Sequence, residues 1–143
     1  YVSNNELTDI NIDNNVNLKI LSVDNNNITN INLKNNNKLE GLYAEYNNIS
    51  EIDFTNNVNL YDVNLDNNPI KRILGFKNLQ NAVDYEAVLN SSYLEEIDLS
   101  GCEDLTYLVI KSNNLKKIDI SDCTSLSLFL VITNILKLLN IYL

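Results

Sequence analysis

The sequence has no histidine and no tryptophan, one proline, three glycines and two cysteines. Each shortage closes off a class of chemistry. Without histidine the chain lacks the side chain that most often serves as a general base near neutral pH. The three glycines are scattered at Gly41, Gly75 and Gly101, so there is no glycine-rich loop to cradle a phosphate. Two cysteines, Cys102 and Cys123, do not make a disulfide framework. Basic residues are also scarce, ten against nineteen acidic ones, for a formal net charge of -9. That balance excludes nucleic acid, because binding phosphates needs a basic face, and it disfavours an anionic membrane surface. The most apolar stretch, residues 126–143, is long enough to span a bilayer. Asn134, Lys137 and Asn140 would sit badly inside one, and the stretch also follows the repeat described next, so no membrane insertion is expected. Nothing points to a metal or a cofactor. No constellation of titratable groups suggests an enzyme.

What the chain does have is 45% hydrophobic residues, enough for a core, and many asparagines in pairs and triplets. The apolar residues recur every 21 positions. Leu18, Leu39 and Leu60 set the period, and Leu105 and Leu126 repeat it. In residues 39–59 the apolar positions are Leu39, Leu42, Ala44, Ile49, Ile52, Phe54 and Val58. The two halves of this repeat echo each other. In both, apolar residues stand two apart, which places them on one face of a strand, and neither half is long enough for an amphipathic helix. Each coil should therefore hold two short strands and two turns. The asparagines mark the turns in two columns. One holds Asn5, Asn26, Asn47, Asn68, Asn113 and Asn134; the other holds Asn15, Asn36, Asn57 and Asn78 and continues as Cys102 and Cys123. A buried asparagine can satisfy backbone donors and acceptors where the chain leaves a strand.

The frames divide the chain into a partial repeat 1–17, repeats 18–38, 39–59 and 60–80, an irregular loop at about 79–86, repeats at about 84–104 and 105–125, and a partial repeat 126–143. The last frame should run through Leu126, Phe129, Val131, Leu136, Leu139 and Ile141. Neither end shows a polar cap, so a longer protein is expected, or self-association through the exposed end coils.

The pattern L-x-x-L-x-L-x-x-N-x-L resembles that of leucine-rich repeats over the whole chain. It looks most similar to the short 21-residue bacterial class, LxxLxVxxNxLxxLDLSxN. LEEIDLSGCEDL and LKKIDISDCTSL are near copies of its second half. The resemblance implies a right-handed β-rich superhelix with little or no helix. It also implies a secreted or cell-surface protein and a partner docked on the concave sheet formed by the first strand of each repeat. Cysteine in place of asparagine is common at that turn in such proteins.

The outward positions of those strands are then the candidate binding residues. The candidate docking residues on the concave face are Tyr43, Glu45, Tyr46, Tyr61, Asp62, Asn64, Asp66, Tyr85, Glu86 and Tyr107, with the carboxylates and most of the tyrosines toward the N-terminal side, a surface suited to a protein or peptide of basic character. The C-terminal half offers an apolar contact surface of Val88, Val109, Leu128, Leu130 and Ile132. Asp24, Glu45 and Asp66 form a carboxylate column whose mutual repulsion solvent exposure would relieve. The leading expectation is a protein-interaction module. A substrate-recruiting segment of a larger enzyme or effector, and a structural surface or adhesin stalk, are the alternatives.

Overall fold

The computed structural model describes residues 1–79, 93–133 and 140–142. Among the described residues ten short strands follow one another: β1 Ile20–Ser22, β2 Gly41–Tyr43, β3 Glu51–Asp53, β4 Asp62–Asn64, β5 Arg72–Leu74, β6 Glu96–Ile97, β7 Tyr107–Asn113, β8 Lys117–Asp119, β9 Leu128–Thr133 and β10 Asn140–Tyr142. A 3-10 turn, Phe76–Leu79, stands among them. All pairings are parallel, as stacking identical coils requires, and they order the strands as β1-β2-β4, β3-β5-β6, β7-β9 and β8-β10. The first set is made of first-half strands and the second of second-half strands. This is the architecture of a leucine-rich-repeat β-solenoid.

The registers carry the repeat. Leu21 faces Leu42, and Leu42 faces Val63. Each step of 21 residues keeps the same side chains turned inward, which a one-residue slip would reverse. Ile52 faces Ile73 in the second sheet, but Ile73 faces Ile97, a step of 24. The last coil departs from the expected frame. Ile118 faces Ile141 rather than Leu139, and Lys111 and Asn113 flank a bulge in the β7–β9 pair. That shift is two residues, so the alternation of the strand stays in phase and an apolar residue still meets an apolar residue.

The two sheets enclose one continuous core. Val23, Ile28 and Leu33 of one coil stack on Ala44, Ile49 and Phe54 of the next, then on Leu65, Ile70 and Phe76, all buried. Val58 does not join it, being 67% exposed in the turn after β3, because the turn itself and not the strand alternation sets its direction. The coil 18–38 has only one strand, since Asn30-Ile31-Asn32 forms no ladder to β3. Asparagine is a poor strand former, which accounts for the loss.

The turns are closed by side chains in coil after coil. Asn47 Nδ2 donates to the carbonyls of Val23 (3.0 Å), Ala44 (3.1 Å) and Glu45 (3.3 Å), while its Oδ1 accepts from Ile28 N (2.9 Å). Asn26 and Asn68 repeat the arrangement one coil to either side. The second column is less complete. Asn57 Nδ2 donates to Leu33 O (3.1 Å) and Asn36 O (2.9 Å), and the buried Oδ1 atoms of Asn36 and Asn57 have no partner. An unsatisfied buried acceptor weakens this column relative to the first. Cys102 and Cys123 continue it as buried free thiols. Gly75 takes φ +67° where Leu74 replaces the turn-closing Asp or Asn, and a Cβ there would stand 2.4 Å from Thr55 N, so only glycine fits.

Candidate partner-binding face

The β1-β2-β4 sheet presents the N-terminal half of the candidate face. Its outward residues form columns across the coils: Ile20, Gly41 and Asp62 in one, Ser22, Tyr43 and Asn64 in the next. Alternation along each three-residue strand turns the central Leu21, Leu42 and Val63 into the core and leaves these positions outside. Gly41 and Ser22 are nevertheless buried, because neighbouring outward side chains lie over them. The ring of Tyr43 crosses Gly41, where an added Cβ would meet Cε2 at 3.5 Å. It reaches the next strand, and the phenol donates a hydrogen bond to Asp62 Oδ2. That bond, with partial burial and the charge of Asp62, pushes the Tyr43 hydroxyl up to about 12.

The carboxylate column is half-buried rather than freely solvated. For Asp24 the relief comes from hydroxyls: Ser3 Oγ donates to Oδ1, and Ser22 Oγ donates to the same atom at 2.9 Å. The Ser3 hydroxyl first, and the Ser22 hydroxyl and the Asn25 side-chain amide after it, hold the Asp24 carboxyl below the usual carboxylate range. Glu45 has one sheltered oxygen, Oε2, without a partner. Asn64 Oδ1 accepts from Asp66 N at 3.0 Å and closes its own turn, so it acts structurally as well as facing outward.

Tyr61 and Tyr46 are the open aromatic surfaces, 50% and 57% exposed. Tyr61 follows Lys19 and Glu40 at the step before the strands. Lys19 pairs with Glu40 at 2.6 Å, and that hydrogen bond and charge hold its ammonium above its ordinary value. Tyr85, Glu86 and Val88 lie outside the described residues, as does most of the irregular loop. Tyr107, Val109 and Ile132 are placed by their backbones, opposite Leu128, Leu130 and Lys111 in the β7–β9 ladder. Leu128 and Leu130 are 49% and 44% exposed, with Phe129 between them packed against the core.

On the opposite sheet Arg72 lies between Glu51 (3.7 Å) and Glu96 (3.2 Å), and Lys116 reaches Glu95 at 3.1 Å. These exposed pairs add a few tenths of a kcal/mol each, about what cross-strand charges contribute. They bind coil to coil. Three carboxylates that the repeat pattern alone did not single out close turns beside them: Asp53, Asp98 and Asp119 each accept the amide two residues on. The D-x-S and D-x-T spacing is the signal for this. Burial raises both thiols, Cys102 to about 12, which disfavours the thiolate form at neutral pH.

No protein-family model matches the chain, and no curated protein matches it. Solved structures do. The functional domain of InlJ from Listeria monocytogenes, described as including a cysteine ladder, superposes with a TM-score of 0.58 at 23% identity over 88% of this chain. The internalin inlF from Listeria monocytogenes superposes with a TM-score of 0.57 at 22% identity over 98% of it. The chain spans 27% of the first structure and 52% of the second. The fold is that of the leucine-rich-repeat internalins.

Proposed function

We propose that the chain is a non-enzymatic protein-docking module that engages a partner through the outward face of the β1-β2-β4 sheet, in a protein displayed on or released from a bacterial surface. The observation that carries the reading is the cross-strand Tyr43–Asp62 pair beside exposed Tyr61 and Tyr46. Tyrosine offers large contact area at low entropy cost, and a tyrosine already fixed by a hydrogen bond loses little more on binding. The internalin-like fold supports the same reading. Carboxylates between the rings, on a chain of net charge -9, favour a partner segment with basic side chains.

The test is a binding screen of the purified chain against a displayed library of extracellular protein domains, followed by dissociation constants for the hits. Tyr43→Ala with Tyr61→Ala should weaken binding at least tenfold while the circular dichroism stays that of the parent. Undiminished affinity in the folded double variant would remove the face from consideration.

A further inference from the structure

Tyr46 occupies a step that the neighbouring coils give to asparagine. Apart from glycine, four described residues have positive φ: Asn4 (58°), Asn25 (54°), Tyr46 (55°) and Asn67 (59°). They are the same step of four consecutive coils, in the turn that follows the first strand. Asparagine enters the left-handed region readily, whereas a bulky aromatic rarely does. The backbone bonds do not depend on which residue stands there. Tyr46 N donates to Asp66 O at 2.9 Å, as Asn25 N donates to Glu45 O at 2.9 Å. The side chain is mostly open to solvent, 57% exposed, and among the described residues no hydrogen bond holds its phenol. The tyrosine therefore costs stability at this turn, and a strained, exposed residue of this kind points to a use outside the fold.

Its surroundings specify that use. Asp24, Glu45 and Asp66 stand one step before Asn25, Tyr46 and Asn67, half-buried along the same rim. Lys19, a cation of the same sheet, is already paired with Glu40 and does not neutralise this rim. We propose that Tyr46 is the aromatic anchor of the docking face and that it receives an arginine side chain of the partner protein, the guanidinium stacking on the ring and forking to the rim carboxylates. Arginine is favoured over lysine because its plane stacks on an aromatic face while its donors match a carboxylate two at a time. The turn fixes the backbone beneath the ring, so the anchor is presented in advance. This inference rests on the docking reading above.

The probes are twelve-residue peptides carrying Gly-Arg-Gly at the centre, with lysine and citrulline in place of the arginine as controls. Binding is measured by isothermal titration to the parent chain, to Tyr46→Asn and to the Tyr43→Ala, Tyr61→Ala double variant. The parent should bind the arginine peptide about tenfold more tightly than either control, the worth of one cation–π contact with its carboxylate. Tyr46→Asn should lose that preference and melt roughly 2–5 °C higher, because asparagine relieves the turn. Unchanged arginine preference in Tyr46→Asn, no rise in melting temperature, or no measurable binding of the arginine peptide to the parent would each overturn the proposal. If Tyr46→Asn keeps the preference and the double variant loses it, the docking face stands and the role of Tyr46 falls. If neither variant changes binding, both fall.

Discussion

Tyr43 and Asp62 are joined across β2 and β4 by a hydrogen bond in which the phenol donates to the carboxylate, over the bare backbone of Gly41. The bond holds the proton on Tyr43 up to about pH 12, against an ordinary tyrosine value near 10. A raised value means that the contribution to stability is whole below about pH 10 and is lost as the pH rises through 12. Tyr43→Phe should therefore remove one tyrosine from the highest-pH step of the 295 nm titration of the folded protein. A titration curve in which that step survives the substitution would mean that another residue carries it.

The two asparagine columns should differ in their tolerance. Asn47→Ala leaves the Ile28 amide without a partner and takes one of two donors from each of the Val23, Ala44 and Glu45 carbonyls, so it should destabilise by about 2 kcal/mol. Asn57 donates two bonds and keeps an orphaned Oδ1, and its column already accepts cysteine at 102 and 123. Asn57→Cys should cost about 1 kcal/mol or less. Urea unfolding of the two variants decides it. Equal losses would show that the columns are equivalent and that the orphaned oxygen has no energetic weight.

The 21-residue period was legible because the apolar positions repeat it without regard to surface chemistry. Leu21, Leu42 and Val63 are adjacent in the sheet because they are adjacent in frame. The face was legible only as a set of outward positions. That Tyr43 lies over Gly41 and bonds Asp62 depends on a diagonal reach that spacing does not encode. The hydroxyls on Asp24 were hidden for a similar reason, since Ser3 belongs to another coil. The strain at Tyr46 had a visible signal in Asn4, Asn25 and Asn67, the same step of the neighbouring coils, but its meaning needed the sign of φ. The last frame slipped because Leu139 and Ile141 have the same character and parity, so the pattern cannot choose between them.

Both cysteines should be inert while the chain is folded. Burial raises Cys102 to about 12 and raises Cys123 as well, so almost no thiolate exists at neutral pH. Ellman's reagent should label neither until denaturant unfolds the chain, and then both together. Rapid labelling of one thiol in the native protein would show that its turn opens to solvent.

Acid should weaken the solenoid through particular carboxylates. Asp24 is held below its ordinary value first by the Ser3 hydroxyl, and Asp98 and Asp119 by the hydroxyls and amides of Ser100 and Ser121. A depressed carboxylate contributes stability above the unfolded value near 4 and loses it as the pH falls through the lower folded value. Melting temperature should accordingly drop below about pH 4, and Ser3→Ala should shrink the part of the drop due to Asp24. A pH profile unaltered by Ser3→Ala would show that the hydroxyl does not set the ionisation of Asp24.

Docking on the tyrosine face is the central claim, and site-specific photocrosslinking tests it most directly. A benzophenone amino acid at position 61 lies on that face, whereas one at the exposed position of Val58 lies in the turn after β3. With a partner identified in the binding screen, the account predicts a covalent adduct from position 61 that excess unlabelled chain competes away, and none from position 58. An adduct from position 58 alone would contradict it.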